Sequence, residues 1–306
     1  MFAPRLIRIA ALAAASSALL VASSAGQQEV AAGPSAAAAD VVAYSPPPPL
    51  PAEAERMRLR DGLAAAERND WYGLASLRDS ATDPLVRRML QWRLATSRDA
   101  PLYFADIRSA LEDLQGWPGR EGMRARAEQA ILDTRLSPSE RVGFLRQEGG
   151  PVSGDGRIAL AIALKDLGQR SEAIAIARAA WREDSLTSNA EARALDEFGS
   201  NFSSEDHAAR VDILLWRGQR SLAQRLIPRL SSADRLVANA RIAMQSRQRR
   251  GLQAAVDAVP SSRQDDPGFM YDRVQYRRRT GNPDDALPLA AQIDARQAPP
   301  AARDDI

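Results

Sequence analysis

Apolar residues recur along most of the chain at intervals of three and four positions. Ile158, Ala161 and Ile162 keep this spacing, and so do Ala173 and Ala177. Because this interval places side chains on one face of an α-helix, it predicts amphipathic helices. Hardly any segment alternates apolar and polar residues with the period of two that is typical of strands. The pattern therefore predicts about fifteen short helices and no sheet.

Polar residues that favour helix N-termini separate these apolar segments. Their side chains accept hydrogen bonds from the first backbone N–H groups, and proline is tolerated in the first turn. Capping boxes are predicted at Ser137-Pro138-Ser139-Glu140, Ser188-Asn189-Ala190-Glu191 and, more loosely, Ser231-Ser232-Ala233-Asp234. Helix starts with a cap followed by proline are predicted at Asp83-Pro84, Asp266-Pro267 and Asn282-Pro283.

Three glycines share a register that predicts helical hairpins. Gly168, Gly218 and Gly281 each follow an apolar segment, and an alanine stands five residues after each of them. These alanines are Ala173, Ala223 and Ala286. Glycine accepts the left-handed conformation that ends a helix, and alanine lets the next helix cross closely, as in tetratricopeptide-like repeats. Because the glycines are unevenly spaced, we predict an all-α fold, an irregular α-solenoid of helical hairpins.

The N-terminus has the features of an export signal. Two arginines precede an apolar run over residues 9–22, and Ser23 and Ala25 stand at the −3 and −1 positions of a cleavage site before Gly26. A retained membrane anchor is the alternative. The run is shorter and richer in alanine and serine than the roughly 20 apolar residues of a membrane span. We therefore predict a signal peptide over residues 1–25 and no stable membrane insertion after its cleavage.

The next segment has the composition of a linker. Four consecutive alanines occupy positions 36–39, and prolines occupy positions 46–49 and 51. Such a segment cannot build a packed core, and its proline run forms an extended spacer. We therefore predict a linker over residues 26–55 and a helical-repeat domain over residues 56–306.

The charge of the exported chain gives little support to nucleic-acid binding. The chain has 41 basic and 39 acidic residues, and removal of two arginines with the signal peptide leaves 39 of each. Arginine clusters occur at Arg247, Arg249 and Arg250, and at residues 277–279. We interpret them as solvated helix ends, where cations complement the helix dipole. Nucleic acid is therefore not an expected partner.

The sequence carries no recognisable catalytic, cofactor or metal motif. His207 is the only histidine and cysteine is absent, so thiolate and multi-histidine metal sites are excluded. His207 stands at a helix start, where we predict a capping or packing role. The acid pairs Asp265-Asp266 and Asp284-Asp285 precede helices, where they stabilise the N-terminal dipole. We assign no catalytic, cofactor-binding or metal-binding residue.

The five tryptophans leave two interpretations open. They could stack on sugar rings, or they could fill gaps between helices, which is the commoner role of such residues. They are Trp71, Trp92, Trp117, Trp181 and Trp216.

Four fragments, in chain order, carry a resemblance to a known family. The first runs from Asn69-Asp70-Trp71 through Asp83-Pro84-Leu85 to Trp92, and the second has Trp117-Pro118 before Arg124, Arg126, Ala127 and Glu128. The third comprises Phe198-Gly199, Ser204-Glu205-Asp206-His207, Arg210-Val211-Asp212 and Leu214-Leu215-Trp216. The fourth comprises Asp265-Asp266-Pro267-Gly268, Arg273 and Arg278-Arg279-Thr280-Gly281. Over roughly residues 56–306 the chain resembles the N-terminal superhelical region of soluble lytic murein transglycosylases.

The resemblance implies a ring or horseshoe of helices in the periplasm. The family cleaves the MurNAc-GlcNAc bonds of peptidoglycan to 1,6-anhydromuropeptides. Its catalytic glutamic acid belongs to a Glu-Ser dipeptide in a separate C-terminal lysozyme-like domain, and it acts first as acid and then as base. This chain contains no Glu-Ser dipeptide. The resemblance thus implies a non-catalytic scaffold, with peptidoglycan glycan strands and the missing catalytic domain as partners.

Two functional classes follow from these observations. In the first, the chain is a truncated or split transglycosylase, since residues 297–306 have the composition of a connector and lack a polar capping helix. In the second, it is a stand-alone periplasmic adaptor that binds a protein partner, as helical-repeat proteins commonly do.

Overall fold

The computed structural model of the protein describes residues 50–248, 250–281, 283–293 and 296. This part of the chain contains fifteen α-helices and no β-strand, which confirms the all-α prediction. The helices, in chain order, are α1 Glu53–Glu67, α2 Trp71–Ser80, α3 Pro84–Thr96, α4 Phe104–Asp113, α5 Arg120–Ile131, α6 Pro138–Leu145, α7 Gly154–Asp166, α8 Arg170–Glu183, α9 Ser188–Phe198, α10 Ser204–Trp216, α11 Arg220–Leu226, α12 Ser232–Gln245, α13 Leu252–Asp257, α14 Pro267–Thr280 and α15 Leu287–Ala290. The predicted signal peptide, most of the linker and residues 297–306 lie outside the described residues.

The helices pack mainly against neighbours in the chain. Thus α2 contacts α1 and α3, α7 contacts α5, α6, α8 and α9, and α12 contacts α10, α13 and α14. Contact with the next helix and the next but one is the packing of a solenoid. The predicted solenoid of hairpins is therefore confirmed, while the ring or horseshoe stays a prediction.

The first helix begins at Glu53, three residues before the predicted start of the domain. Glu55 is buried, and its carboxylate accepts hydrogen bonds from the Thr82 hydroxyl at 3.0 Å and the Asp83 N–H at 3.2 Å. These contacts tie the start of α1 to the connection between α2 and α3. Residues 53–55, which the composition assigns to the linker, thus belong to the folded domain because of a long-range contact.

Most predicted helix caps are confirmed, and one is wrong. Asp83, Ser137, Ser231 and Asp266 cap their helices as predicted, whereas Asn282 lies outside the described residues. The cap of α9 is Thr187, one residue before the predicted Ser188.

The cap of α9 is fixed by a contact with α7. Asp155 accepts hydrogen bonds from the Thr187 N–H at 2.9 Å and from its hydroxyl at 2.6 Å. Glu191, the acid of the predicted capping box, is buried and instead pairs with Arg210 at 2.8 Å. Tertiary contacts therefore decide which residue caps α9 and which group Glu191 pairs with.

Two of the three predicted glycine turns are confirmed. Gly168 and Gly218 have φ values of 82° and 67°, in the left-handed region. Gly281 ends α14 with a φ of −129°, so the prediction of a left-handed turn there is wrong. The chain continues through a short 3₁₀ turn, Pro283–Asp285, which replaces the tight connection of the other two hairpins.

Arginine side chains satisfy carbonyl groups that helix ends leave unpaired. Arg126 donates to the carbonyls of Ala95 in the last turn of α3 and of Ser97 and Ala100 just after it, at 2.7 to 2.8 Å. Arg210 does the same for Asp184 after α8 at 2.7 Å. A guanidinium has five donors in a fixed plane, so one side chain can serve several carbonyls. This role differs from the interaction with the helix dipole that the sequence predicts for its arginine clusters. One of those clusters, residues 277–279, does occupy the last turn of α14.

Candidate functional site

The tryptophans divide into buried and half-buried groups. Trp181 and Trp216 are buried, and Trp181 stacks on Phe202 with ring centroids 5.0 Å apart. Trp92 and Trp117 are half-buried, with ring centroids 6.3 Å apart. The gap-filling interpretation thus describes the buried pair. The Trp92–Trp117 pair keeps exposed aromatic surface that a ligand could contact.

His207 is a packing residue of the core. It is 3% exposed and meets Trp181 and Phe202 edge-on, at centroid distances of 5.7 and 6.0 Å. Burial lowers the pKa of His207, and the positive charge of Arg229 acts in the same direction. A neutral imidazole enclosed by aromatic rings is suited to packing. The helix cap beside it is Ser203.

The acid pairs stand at helix starts in the described part of the chain. Asp266 caps α14, since its Oδ1 accepts from the N–H groups of Gly268 and Phe269 at 3.1 Å. Asp284 and Asp285 lie in the 3₁₀ turn before α15. Among the described residues, no group of three or more acids, histidines or cysteines could hold a metal ion.

One face of α5 forms the floor of a long groove. Two cavities, of about 540 and 750 Å³, follow one another along this helix. Six of their lining residues from α5 and the turn after it stand at offsets of 0, 3, 4, 7, 8 and 11, which is a single helical stripe, and the buried Met123 lies beside it. The stripe comprises Gly122, Ala125, Arg126, Gln129, Ala130 and Asp133. At 1.5 Å per residue it is about 17 Å long. We call this surface the α5 groove.

The opposite wall of the α5 groove comes from the end of α3 and the connection to α4. Thr96 and Arg98 line the first cavity, and Leu102 and Tyr103 line the second. Arg126 reaches from the floor to this wall, where it bonds to carbonyls at and after the end of α3. Burial lowers the pKa of Arg126, and Asp99 opposes that shift. The arginine therefore fixes the connection that forms the wall.

Aromatic side chains flank the groove at both ends. Trp92 lies one helical turn before Thr96, and its indole N–H donates to the Pro118 carbonyl at 2.8 Å, beside the groove residue Gly119. At the other end Tyr103 is 82% exposed. The groove between them has a floor of small residues and a polar rim. Such a surface can bind an extended ligand through stacking and hydrogen bonds.

The predictions from sequence found only part of this groove. They included the tryptophans as possible sugar-stacking residues, but they missed Tyr103 and the stripe of α5. The helical spacing of the stripe is visible in the sequence, but the sequence does not show that this side of α5 is the open one.

Comparisons with known proteins add no further assignment. No protein-family model matches the chain, and no curated protein matches it either. Within the described part of the chain, every helix is too short or too polar to cross a membrane. The function is therefore inferred from the α5 groove.

Proposed function

We propose that the protein is the non-catalytic, superhelical scaffold of a periplasmic lytic murein transglycosylase, and that the α5 groove binds a peptidoglycan glycan strand. The observation that carries this proposal is the placement of aromatic rings at both ends of one helical stripe, the half-buried Trp92 and Trp117 at one end and the exposed Tyr103 at the other. Aromatic faces stack on the apolar faces of sugar rings, while polar side chains at the rim bond to their substituents.

The geometry of the α5 groove suits an extended polymer. Its floor is open at Gly122, where an added Cβ would meet no atom within 4 Å. Arg98 and Gln129 provide hydrogen-bond donors along the first cavity, and Arg135 and Asp133 provide charged groups along the second. In this proposal the groove positions the strand, and bond cleavage belongs to a separate catalytic domain.

Sedimentation of the full-length protein with purified sacculi tests the proposal. We expect Tyr103→Ala to weaken binding about tenfold, since loss of an aromatic stack and its buried area costs about 1.4 kcal/mol. Trp117→Ala should also weaken it. Tyr72→Ala is the matched control, because Tyr72 is 84% exposed and lies on α2, outside the groove. It should leave binding unchanged.

The same assay separates the proposal from the adaptor alternative. No affinity for sacculi, or an equal loss in the Tyr72 and Tyr103 variants, would contradict glycan binding in the groove. Recovery of one stoichiometric periplasmic protein, without affinity for sacculi, would instead support a stand-alone adaptor.

A further inference from the structure

A cavity outside the α5 groove lies where the turn between α7 and α8 meets the end of α9. Its volume is about 300 Å³, room for roughly ten water molecules at about 30 Å³ each. We call it the α7–α9 cavity. Its lining residues are Lys165 near the end of α7, Arg170 and Ile174 on α8, Glu197 and Phe198 at the end of α9, and Ser200 and Asn201 in the 3₁₀ turn that follows.

The ammonium group of Lys165 is held in place at one wall of the α7–α9 cavity. Its Nζ donates to Glu197 Oε2 at 2.6 Å and to the Glu197 carbonyl at 3.2 Å. It also lies 5.6 Å from the centre of the buried Phe198 ring. An ammonium has three N–H donors, so one of them remains for another acceptor. Because 29% of the Lys165 side chain is exposed where it lines the cavity, a ligand can reach this donor.

The other polar side chains of the α7–α9 cavity are open to solvent. Arg170, Ser200 and Asn201 are exposed, and their side chains make no hydrogen bond or ion pair with the described residues. The backbone beneath them is nevertheless fixed, because Arg178 donates to the Asn201 carbonyl at 2.8 Å. The cavity therefore combines a rigid wall with a guanidinium, a hydroxyl and an amide that a ligand can reach.

The charge of the α7–α9 cavity favours an anion. Two cations, Lys165 and Arg170, face the single carboxylate of Glu197, which leaves one positive charge in excess. This excess attracts a ligand that carries one negative charge. A guanidinium can donate two parallel hydrogen bonds to a carboxylate. A hydroxyl and an amide each both donate and accept, so they suit the hydroxyl groups of a ligand.

We propose that the α7–α9 cavity binds a small sugar acid, a molecule with one carboxylate and several hydroxyl groups. The carboxylate bonds to Arg170 and to the remaining N–H of Lys165, and it neutralises the excess charge. The hydroxyl groups bond to Ser200 and Asn201, while the carbon skeleton lies against Ile174. A fatty acid of the same length lacks the hydroxyl groups, and a sugar alcohol lacks the charge. The proposal rests on this cavity and does not depend on glycan binding.

Isothermal titration calorimetry on the full-length protein tests the proposal with three six-carbon probes: gluconate, sorbitol and hexanoate. We expect gluconate to bind and the other two to bind at least about tenfold more weakly, since each lacks one of the two sets of hydrogen bonds. Arg170→Gln should weaken gluconate binding about tenfold or more, and it should keep the fold because Arg170 is exposed.

Arg220→Gln is the matched control for this variant. Arg220 is exposed and opens α11 after the turn at Gly218, just as Arg170 opens α8 after the turn at Gly168, but it lies outside the α7–α9 cavity. It should leave the affinity for gluconate unchanged.

Chemical acetylation provides a readout at the cavity itself. Lys165 is the only lysine of the chain, so acetylation of a lysine side chain reports on this cavity alone. At ten times its Kd, gluconate should slow acetylation of Lys165 about tenfold, as measured by mass spectrometry, whereas sorbitol should not. No heat of binding for gluconate at millimolar concentration, equal binding of sorbitol or hexanoate, an equal loss in the two arginine variants, or acetylation of Lys165 unchanged by gluconate would each overturn the proposal.

Discussion

Replacement of Gly156 by alanine should destabilise the protein, although alanine is the better helix former. Gly156 lies in α7, and a Cβ there would stand 2.3 Å from Glu128 Oε2 and 2.5 Å from its Cδ. The Glu128 side chain is fully buried. Its carboxylate accepts hydrogen bonds from the Val152 N–H at 2.9 Å, and from the Ser153 N–H and hydroxyl at 2.8 and 2.6 Å. The added methyl group must therefore displace a fully bonded carboxylate.

Two opposing effects set the size of this change. Alanine in a helix interior is favoured over glycine by about 1 kcal/mol. Hydrogen bonds to a charged group are worth about 1.5–3 kcal/mol each, and displacement of Glu128 would break two of those that it accepts, a loss of about 3–6 kcal/mol. The net loss is about 2–5 kcal/mol. For a domain of this size it corresponds to a fall in Tm of roughly 4–20 °C.

Urea and thermal unfolding followed by circular dichroism measure this effect. Gly143→Ala is the matched control, because Gly143 is an exposed glycine inside α6 where an added Cβ would meet no atom within 4 Å. This variant should gain about 0.5–1 kcal/mol from helix propensity. If Gly156→Ala were as stable as the wild type or stabilised like Gly143→Ala, the close packing of α7 on Glu128 would be refuted.

Two further predictions concern single side chains. Thr187→Ala should lower the free energy of unfolding in urea by about 1–2 kcal/mol, because Thr187 caps α9 and bonds to Asp155. Ser188→Ala, the control, should change it by no more than about 0.5 kcal/mol. The opposite ranking would show that Ser188 is the cap. Asp206 should contribute to acid stability: burial acts to raise its pKa, but hydrogen bonds from Ser203 and Arg182 and the charge of Arg178 hold it below the ordinary value. Because the folded pKa is the lower one, this contribution is present above about pH 4 and is lost as pH falls through the folded pKa. Asp206→Asn should therefore unfold with a shallower pH dependence between pH 5 and pH 2, and an unchanged slope would contradict it.

Local signals in the sequence were sufficient to predict most helix starts. Asp83, Ser137 and Asp266 act through groups two or three residues away in the chain, so their neighbours alone determine their role. The same holds for Gly168 and Gly218, whose left-handed turns depend on the backbone freedom of glycine. At Ser188, where the predicted cap was wrong, the distant partner Asp155 decided the outcome by bonding to Thr187.

The two faces of α5 show why the α5 groove could not be predicted from the sequence. The buried face joins Met123 to the charged residues Arg124 and Glu128, and the stripe joins Ala125 to Arg126. Because both faces mix charged and apolar residues, their composition alone does not show which of them is open.

The sequence by itself determined that this chain forms short helices, where most of them begin and which glycines join them, because those features depend on interactions within a few residues. Only the tertiary structure decided which face of each helix is buried. Arg124 and Glu128 become stable in the core through carbonyl and N–H groups that lie more than 20 residues away. The hydrogen-bond partners of a buried charge come from other helices, and the open face of α5 is a consequence of where those helices pack.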